Sequence, residues 1–80
     1  MENNFNDLII ISDYDMGYCF SVFYKGIIKY RGNITGEHKS IYEDYEDSIY
    51  DKDFTNMCNK YNCNILVCRD GNIEYYERGN

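Results

Sequence analysis

Asn64-Ile65-Leu66-Val67-Cys68-Arg69-Asp70-Gly71-Asn72-Ile73-Glu74-Tyr75-Tyr76-Glu77 decides the fold. Asn64 to Cys68 is a β-branched run that places Ile65 and Val67 on one face of a strand and Leu66 and Cys68 on the other. Asn72 to Glu77 is a second strand-like run. Between them, Asp70-Gly71 is a two-residue loop of the kind that closes a type I′ hairpin. The carboxyl-terminal end of the chain is therefore expected to be a two-stranded antiparallel unit, with Arg78-Gly79-Asn80 frayed beyond it.

Upstream of this hairpin the pattern is helical. Ser40-Ile41-Tyr42-Glu43 has the spacing of a capping box and marks a helix start. Ile41, Tyr42, Tyr45 and Ile49 then share one quadrant of a helical wheel. Tyr50, Phe54, Met57, Cys58 and Tyr61 form a second apolar stripe, rotated by about 130° from the first. One straight helix cannot bury both stripes against one surface, so a kink or break is expected near Tyr50 to Asp53. Ser48-Ile49-Tyr50-Asp51 is the candidate cap of the second segment.

Further upstream lie three strand-like runs. Leu8-Ile9-Ile10-Ile11-Ser12 is short, continuous and suited to a strand covered on both sides. Asp13-Tyr14-Asp15-Met16-Gly17 ends it with turn residues. From Tyr18 to Tyr24, the residues Tyr18, Phe20, Val22 and Tyr24 share one face, while Cys19, Ser21 and Phe23 take the other. Lys25-Gly26 supplies a tight loop with a glycine free to take positive φ. Ile27 to Ile34 returns as a third strand, Lys29 and Arg31 on one face and Ile28 and Tyr30 on the other, loosening at Gly32 and Gly36. Eighty residues make a single domain over 1–80, with room for one sheet and one helical layer. The expected fold is α+β: an antiparallel sheet of about five strands in the order β-β-β-α-β-β, with a kinked or broken helix on one face.

Charge is distributed unevenly over this framework. Between Glu37 and Asp53 there are seven acids and two lysines, a net −5 out of −6 for the chain; the remaining residues hold seven acids against six bases. Such concentration points to a basic partner or to competition with nucleic acid. Glu43, Asp47 and Asp51 repeat at i, i+4, i+8, and each like-charged pair costs a helix about 0.2–0.5 kcal/mol. Glu43 and Asp44 are expected near the start of the helix, where the dipole offsets their charge. The candidate partner-binding residues are Glu43, Asp44, Glu46, Asp47, Tyr50, Asp51 and Asp53, the tyrosine adding contact area and the carboxylates meeting lysine or arginine. Tyr42 and Tyr45 are assigned to the core.

The stretch Tyr42-Glu43-Asp44-Tyr45-Glu46-Asp47-Ser48-Ile49-Tyr50-Asp51, together with size, acidity and a small sheet ending in Asp70-Gly71, resembles the small phage-encoded inhibitors that include anti-CRISPR and DNA-mimic anti-restriction proteins. The resemblance is one of character, with no alignable motif. It implies a non-enzymatic inhibitor in the host cytoplasm that presents carboxylates where a nuclease complex would hold phosphates.

Two other classes stand beside this expectation. One is a protein–protein interaction module that uses its sheet face or an exposed edge strand, with acidity serving solubility. The other is a truncated ribonuclease H-like nuclease, in which Asp13, Glu46 or Asp47, and Asp70 would gather divalent metal. Asp13 and Asp70 both have complete explanations as turn residues, and the chain stops short of that fold's later helix and final carboxylate. Cys58, Cys63 and Cys68 are spaced too widely for a typical structural zinc site with His38, and they read as small core hydrophobes; Cys19 is the fourth thiol. His38 has no nucleophile context, and no phosphate-binding glycine loop is present, so no cofactor is expected. Lys25, Lys29 and Arg31 form the only dense basic group, which suits a sheet edge better than a nucleic-acid site. The longest apolar run, Leu8 to Ile11, is too short to be a signal peptide or a membrane span, and the chain is expected to be soluble and intracellular.

Overall fold

The computed structural model describes residues 8–13, 20–69 and 71–79, with Phe20 and Arg31 described by backbone alone. Five strands, β1 (Leu8–Asp13), β2 (Phe20–Tyr24), β3 (Ile27–Tyr30), β4 (Asn64–Arg69) and β5 (Asn72–Tyr76), form one sheet in the order β3-β2-β1-β4-β5. Two helices, α1 (Gly36–Asp47) and α2 (Asp51–Tyr61), connect β3 to β4. The fold is the expected small two-layer α+β domain with a broken helical segment. Three of the four strand pairings are antiparallel, but β1 and β4 at the centre run parallel. The sheet is therefore mixed. A parallel pair needs a long crossover, and the two helices supply it.

Both hairpins follow from turn chemistry. Lys25 and Gly26 have φ of 54° and 74°, as a type I′ turn demands at its two central positions. Gly71 has φ of 81° between Arg69 and Asn72, which face each other across β4 and β5. Asp70 lies outside the described residues, as do Tyr14 to Cys19.

Alternation sorts each strand between two faces. Ile9 and Ile11, Val22 and Tyr24, and Ile65 and Val67 point toward the helices and are buried. Phe54, Met57 and Cys58 of α2 and Ile41 and Tyr45 of α1 close over them. Phe54 stacks on Tyr76 with ring centroids 4.7 Å apart. Cys58 and Cys63 lie in this core as small hydrophobes, and burial pushes the Cys58 thiol above its usual range. The opposite face bears two cross-strand rows. One is bulky: Ile28, Phe23, Ile10, Leu66 and Tyr75. The other has small residues at its centre: Tyr30, Ser21, Ser12, Cys68 and Ile73. Among the described residues, helix covers the central strand on one side.

Several boundaries depart from the sequence reading. β3 stops at Tyr30 and passes into a 3₁₀ turn over Arg31–Asn33 rather than continuing to Ile34. α1 begins at Gly36, not at Ser40, which sits inside the helix. α1 ends at Asp47, and Ser48 donates its backbone N–H to the Tyr45 carbonyl at 3.1 Å. Ile49 therefore leaves the apolar stripe it was assigned to and is 78% exposed. The carboxyl-terminal tail is tied down: the Arg78 backbone N–H donates to Asn64 Oδ1 at 3.0 Å, and that of Gly79 to Asn59 Oδ1 at 2.8 Å.

Candidate functional site

The seven candidate residues lie on the helical layer, on α1, on α2 and at the break between them. Two of them, Asp44 and Asp53, are bonded within the helical layer, and the other five are exposed.

Asp44 and Asp53 hold the fold. Asp44 projects from α1 toward α2, where its Oδ2 accepts from Lys60 Nζ at 2.8 Å and from the Tyr61 hydroxyl at 2.7 Å. Partial burial opposes its charge, but these two donors outweigh it and hold the carboxyl below its ordinary range. Burial, reinforced by Asp44, pushes the Tyr61 hydroxyl well above its usual pKa. Asp53, in the first turn of α2, accepts from the backbone N–H groups of Ile49 and Tyr50, both at 3.0 Å. Those bonds depress its pKa. Asp53 thus performs the capping role that the sequence reading gave to Asp51, and the helix starts two residues later than a cap at Ser48 would require.

Glu43, Glu46 and Asp47 are exposed on the outer side of α1. Among the described residues, Glu43 and Asp47 make no ion pair or hydrogen bond. Because α1 starts at Gly36, its first-turn acid is Glu37, and no basic residue lies in its last turn. Glu43, Asp44, Glu46 and Asp47 fall instead toward its carboxyl-terminal end. The helix dipole is negative there, so their placement is costlier than the sequence reading assumed. Asp51 does not extend their stripe, since it opens α2; its Oδ1 lies 3.3 Å from the Tyr76 hydroxyl oxygen. Tyr50, 64% exposed, stands beside Ile49 at the break.

Two shallow clefts open on this layer. One, of about 240 Å³, is lined by Asp44, Asp47, Asp53 and Lys60 together with Ser48, Asn56 and Met57. The other, of about 250 Å³, is lined by Ile34, Lys39, Tyr42, Glu43 and Glu46. Both fall below the roughly 300–1,000 Å³ of small-molecule sites.

The carboxylates of the nuclease alternative are not brought together. Asp13, the last residue of β1, accepts from the buried Tyr45 hydroxyl at 2.7 Å, while Glu46 and Asp47 are exposed residues of α1. Asp70 lies outside the described residues. Among the described residues, no group of His, Cys, Asp and Glu is arranged to hold a metal. His38 lies in the first turn of α1, its ring edge-on to Tyr24 at 5.7 Å.

Sequence reasoning missed a second polar cluster, at the carboxyl-terminal ends of β1 and β4. The Arg69 guanidinium lies 5.8 Å from the Tyr45 ring centre and 5.9 Å from that of Phe54, and it pairs with Glu74 at 3.3 Å. The Tyr76 hydroxyl donates to the same Glu74 carboxylate at 2.9 Å. Burial, with help from Asp13, pushes the Tyr45 hydroxyl up to about 12. This cluster joins α1 and α2 to the sheet. The parallel β1–β4 register that assembles it has no local signal in the sequence.

No described helix is long and apolar enough to cross a membrane. Among known proteins, no family model, curated protein or solved structure matches this chain.

Proposed function

We propose that this chain is a non-enzymatic binding protein. In this reading its acidic helical flank occupies the Lys/Arg-lined nucleic-acid surface of an intracellular nuclease complex, in the manner of a DNA-mimic inhibitor. The observation that carries the reading is the position of Glu43 and Asp47. They stand one helical turn apart, exposed, without an internal partner among the described residues, and toward the negative end of α1. A marginal domain gains nothing in stability from that arrangement. A basic groove would turn the same repulsion into charge-assisted bonds. Glu46 and Asp51 extend the acidic surface, and Tyr50 contributes area. Asp44 and Asp53 support this surface through the fold rather than by direct contact.

Affinity capture from cell lysate tests the reading. The immobilised protein is expected to retain basic nucleic-acid-binding proteins at low salt and to release them with rising salt or added duplex DNA. Glu46→Lys combined with Asp47→Lys is expected to abolish retention while leaving the far-ultraviolet spectrum unchanged. Capture that ignores salt, DNA and the double substitution would remove mimicry as the function.

A further inference from the structure

Seven large apolar residues are exposed among the described residues, and five of them, Ile27, Ile28, Tyr30, Ile73 and Tyr75, lie on the edge strands β3 and β5. β-branched and aromatic side chains favour strands even where they are uncovered, so the sheet accounts for those five. Ile49 and Tyr50 have no such account. They sit at the break between α1 and α2, outside any helix or strand, and are 78% and 64% exposed. Tyr50 is the N-cap residue of α2, a position that serine, aspartate or asparagine serves better.

The backbone that carries this pair is tied down. Asp53 Oδ2 accepts from the N–H groups of Ile49 and Tyr50, both at 3.0 Å, and the Asp53 N–H donates to the Tyr50 carbonyl at 2.9 Å. On the α1 side the Ser48 hydroxyl donates to the Asp44 carbonyl at 2.7 Å. Two apolar side chains thus stand in water on a fixed link, which lowers the entropy cost of any contact they make. Carboxylates flank them in the chain: Glu46 and Asp47 precede the pair and Asp51 follows it, all exposed.

We infer that Ile49 and Tyr50 are the contact centre of the acidic flank, and that the surface they fit is a single-strand nucleic-acid groove on the basic partner. The inference rests on the proposed mimicry and narrows its partner. A duplex-binding surface meets phosphates with cations, and the bases stay stacked inside the duplex, read only at their edges. A single-strand groove adds aromatic platforms beside its cations, and unstacked bases lie on them. Tyr50 presents to such a platform the ring that a base would, and Ile49 extends the apolar contact. Glu46, Asp47 and Asp51 take the positions of flanking phosphates. An aromatic anchor bordered by charge is also how the energetic centre of a protein interface is built.

Competitive release tests it. The full chain is immobilised, loaded from lysate at low salt, and washed with increasing oligothymidylate or increasing duplex DNA. The retained proteins are expected to leave at an oligothymidylate concentration, counted in nucleotides, at least about tenfold below that of the duplex. Ile49→Ser combined with Tyr50→Ser leaves every charge in place and puts a favoured residue at the N-cap of α2. It is expected to keep the far-ultraviolet spectrum and thermal midpoint of the parent while weakening retention at least about tenfold. Duplex DNA as effective as the single strand, or a folded double variant that retains as well as the parent, would overturn the inference; mimicry would then stand on the salt and duplex sensitivity of capture. Retention indifferent to salt and to both nucleic acids would overturn mimicry and this inference together.

Discussion

The exposed acids and the bonded acids of this chain make different demands on pH. Asp44 and Asp53 have folded pKa values below the ordinary 3.8, each held down by specific donors. Between the folded and ordinary values the unfolded chain binds more protons, so stability rises with pH across that interval. The stabilisation is complete above the ordinary value and is lost as pH falls through the lower one. Urea midpoints measured from pH 6 down to pH 2.5 are expected to decline steeply below about pH 4, and Asp44→Asn should flatten that decline. Tyr45 behaves in the opposite sense. With its hydroxyl pushed up to about 12 from 10.0, the stability it lends is intact below pH 10 and is lost as pH rises through 12. Tyr45→Phe deletes its hydrogen bond to Asp13 and is expected to cost about 1 kcal/mol in a thermal or urea melt. Phe54→Ala removes a ring that is 2% exposed and stacked on Tyr76, and is expected to cost about 3–5 kcal/mol. Ile49→Ala is expected to stay within about 0.5 kcal/mol of the parent, because that side chain is in water already.

Among the elements, legibility followed the range of the interaction. Strands were readable because side-chain alternation is local: Ile65 and Val67 fell on the buried face and Leu66 and Cys68 on the other, as their spacing required. Turns were readable for the same reason, with Lys25 and Gly26 both at positive φ. A side chain with Cβ is strained at such a φ, so Gly26→Val should destabilise by about 1–2 kcal/mol and shorten amide-exchange protection in β2 and β3. The start of α1 was not readable. Thr35 caps it without a side-chain bond, and Gly36 opens it at φ 57°, so nothing in the composition marks the place. Ser40 and Glu43 have capping-box spacing but sit mid-helix, an example of a local motif overridden by packing. The break between the helices was anticipated from the misaligned stripes. Its true anchor, Asp53 three residues after Tyr50, carried a usable signal in its own spacing. Asp44 gave no such signal: its partners Lys60 and Tyr61 belong to α2, and only the packing of the two helices brings them near.

For the whole molecule the important contrast is between a helical layer rich in carboxylates and a sheet face whose rows have none. If the acids on α1 serve binding, they have been kept at the expense of stability, and that trade is measurable. Asp47→Lys places a cation near the negative end of α1 and is expected to raise the stability of the free protein by about 0.3–1 kcal/mol. The same substitution should weaken capture of the basic partner. A variant both more stable and fully competent would instead assign the charge to solubility. The proposed partner class rests in the sequence on a charge imbalance alone, because an acidic surface names the sign of what it meets and nothing more.

The parallel pairing at the centre has a consequence for how this protein is made. During synthesis β1 leaves the ribosome well before its neighbour β4, from which β2, β3 and both helices separate it. Until then Leu8-Ile9-Ile10-Ile11 has a hydrogen-bonding edge with no native strand to pair with on that side, in a segment of strong β propensity and no charge. A nascent or prematurely terminated chain therefore carries its most adhesive stretch open, and contacts so distant in sequence form slowly. Production of this protein should depend on how long that strand waits, with truncations before Asn64 collecting in inclusion bodies while the full-length product folds.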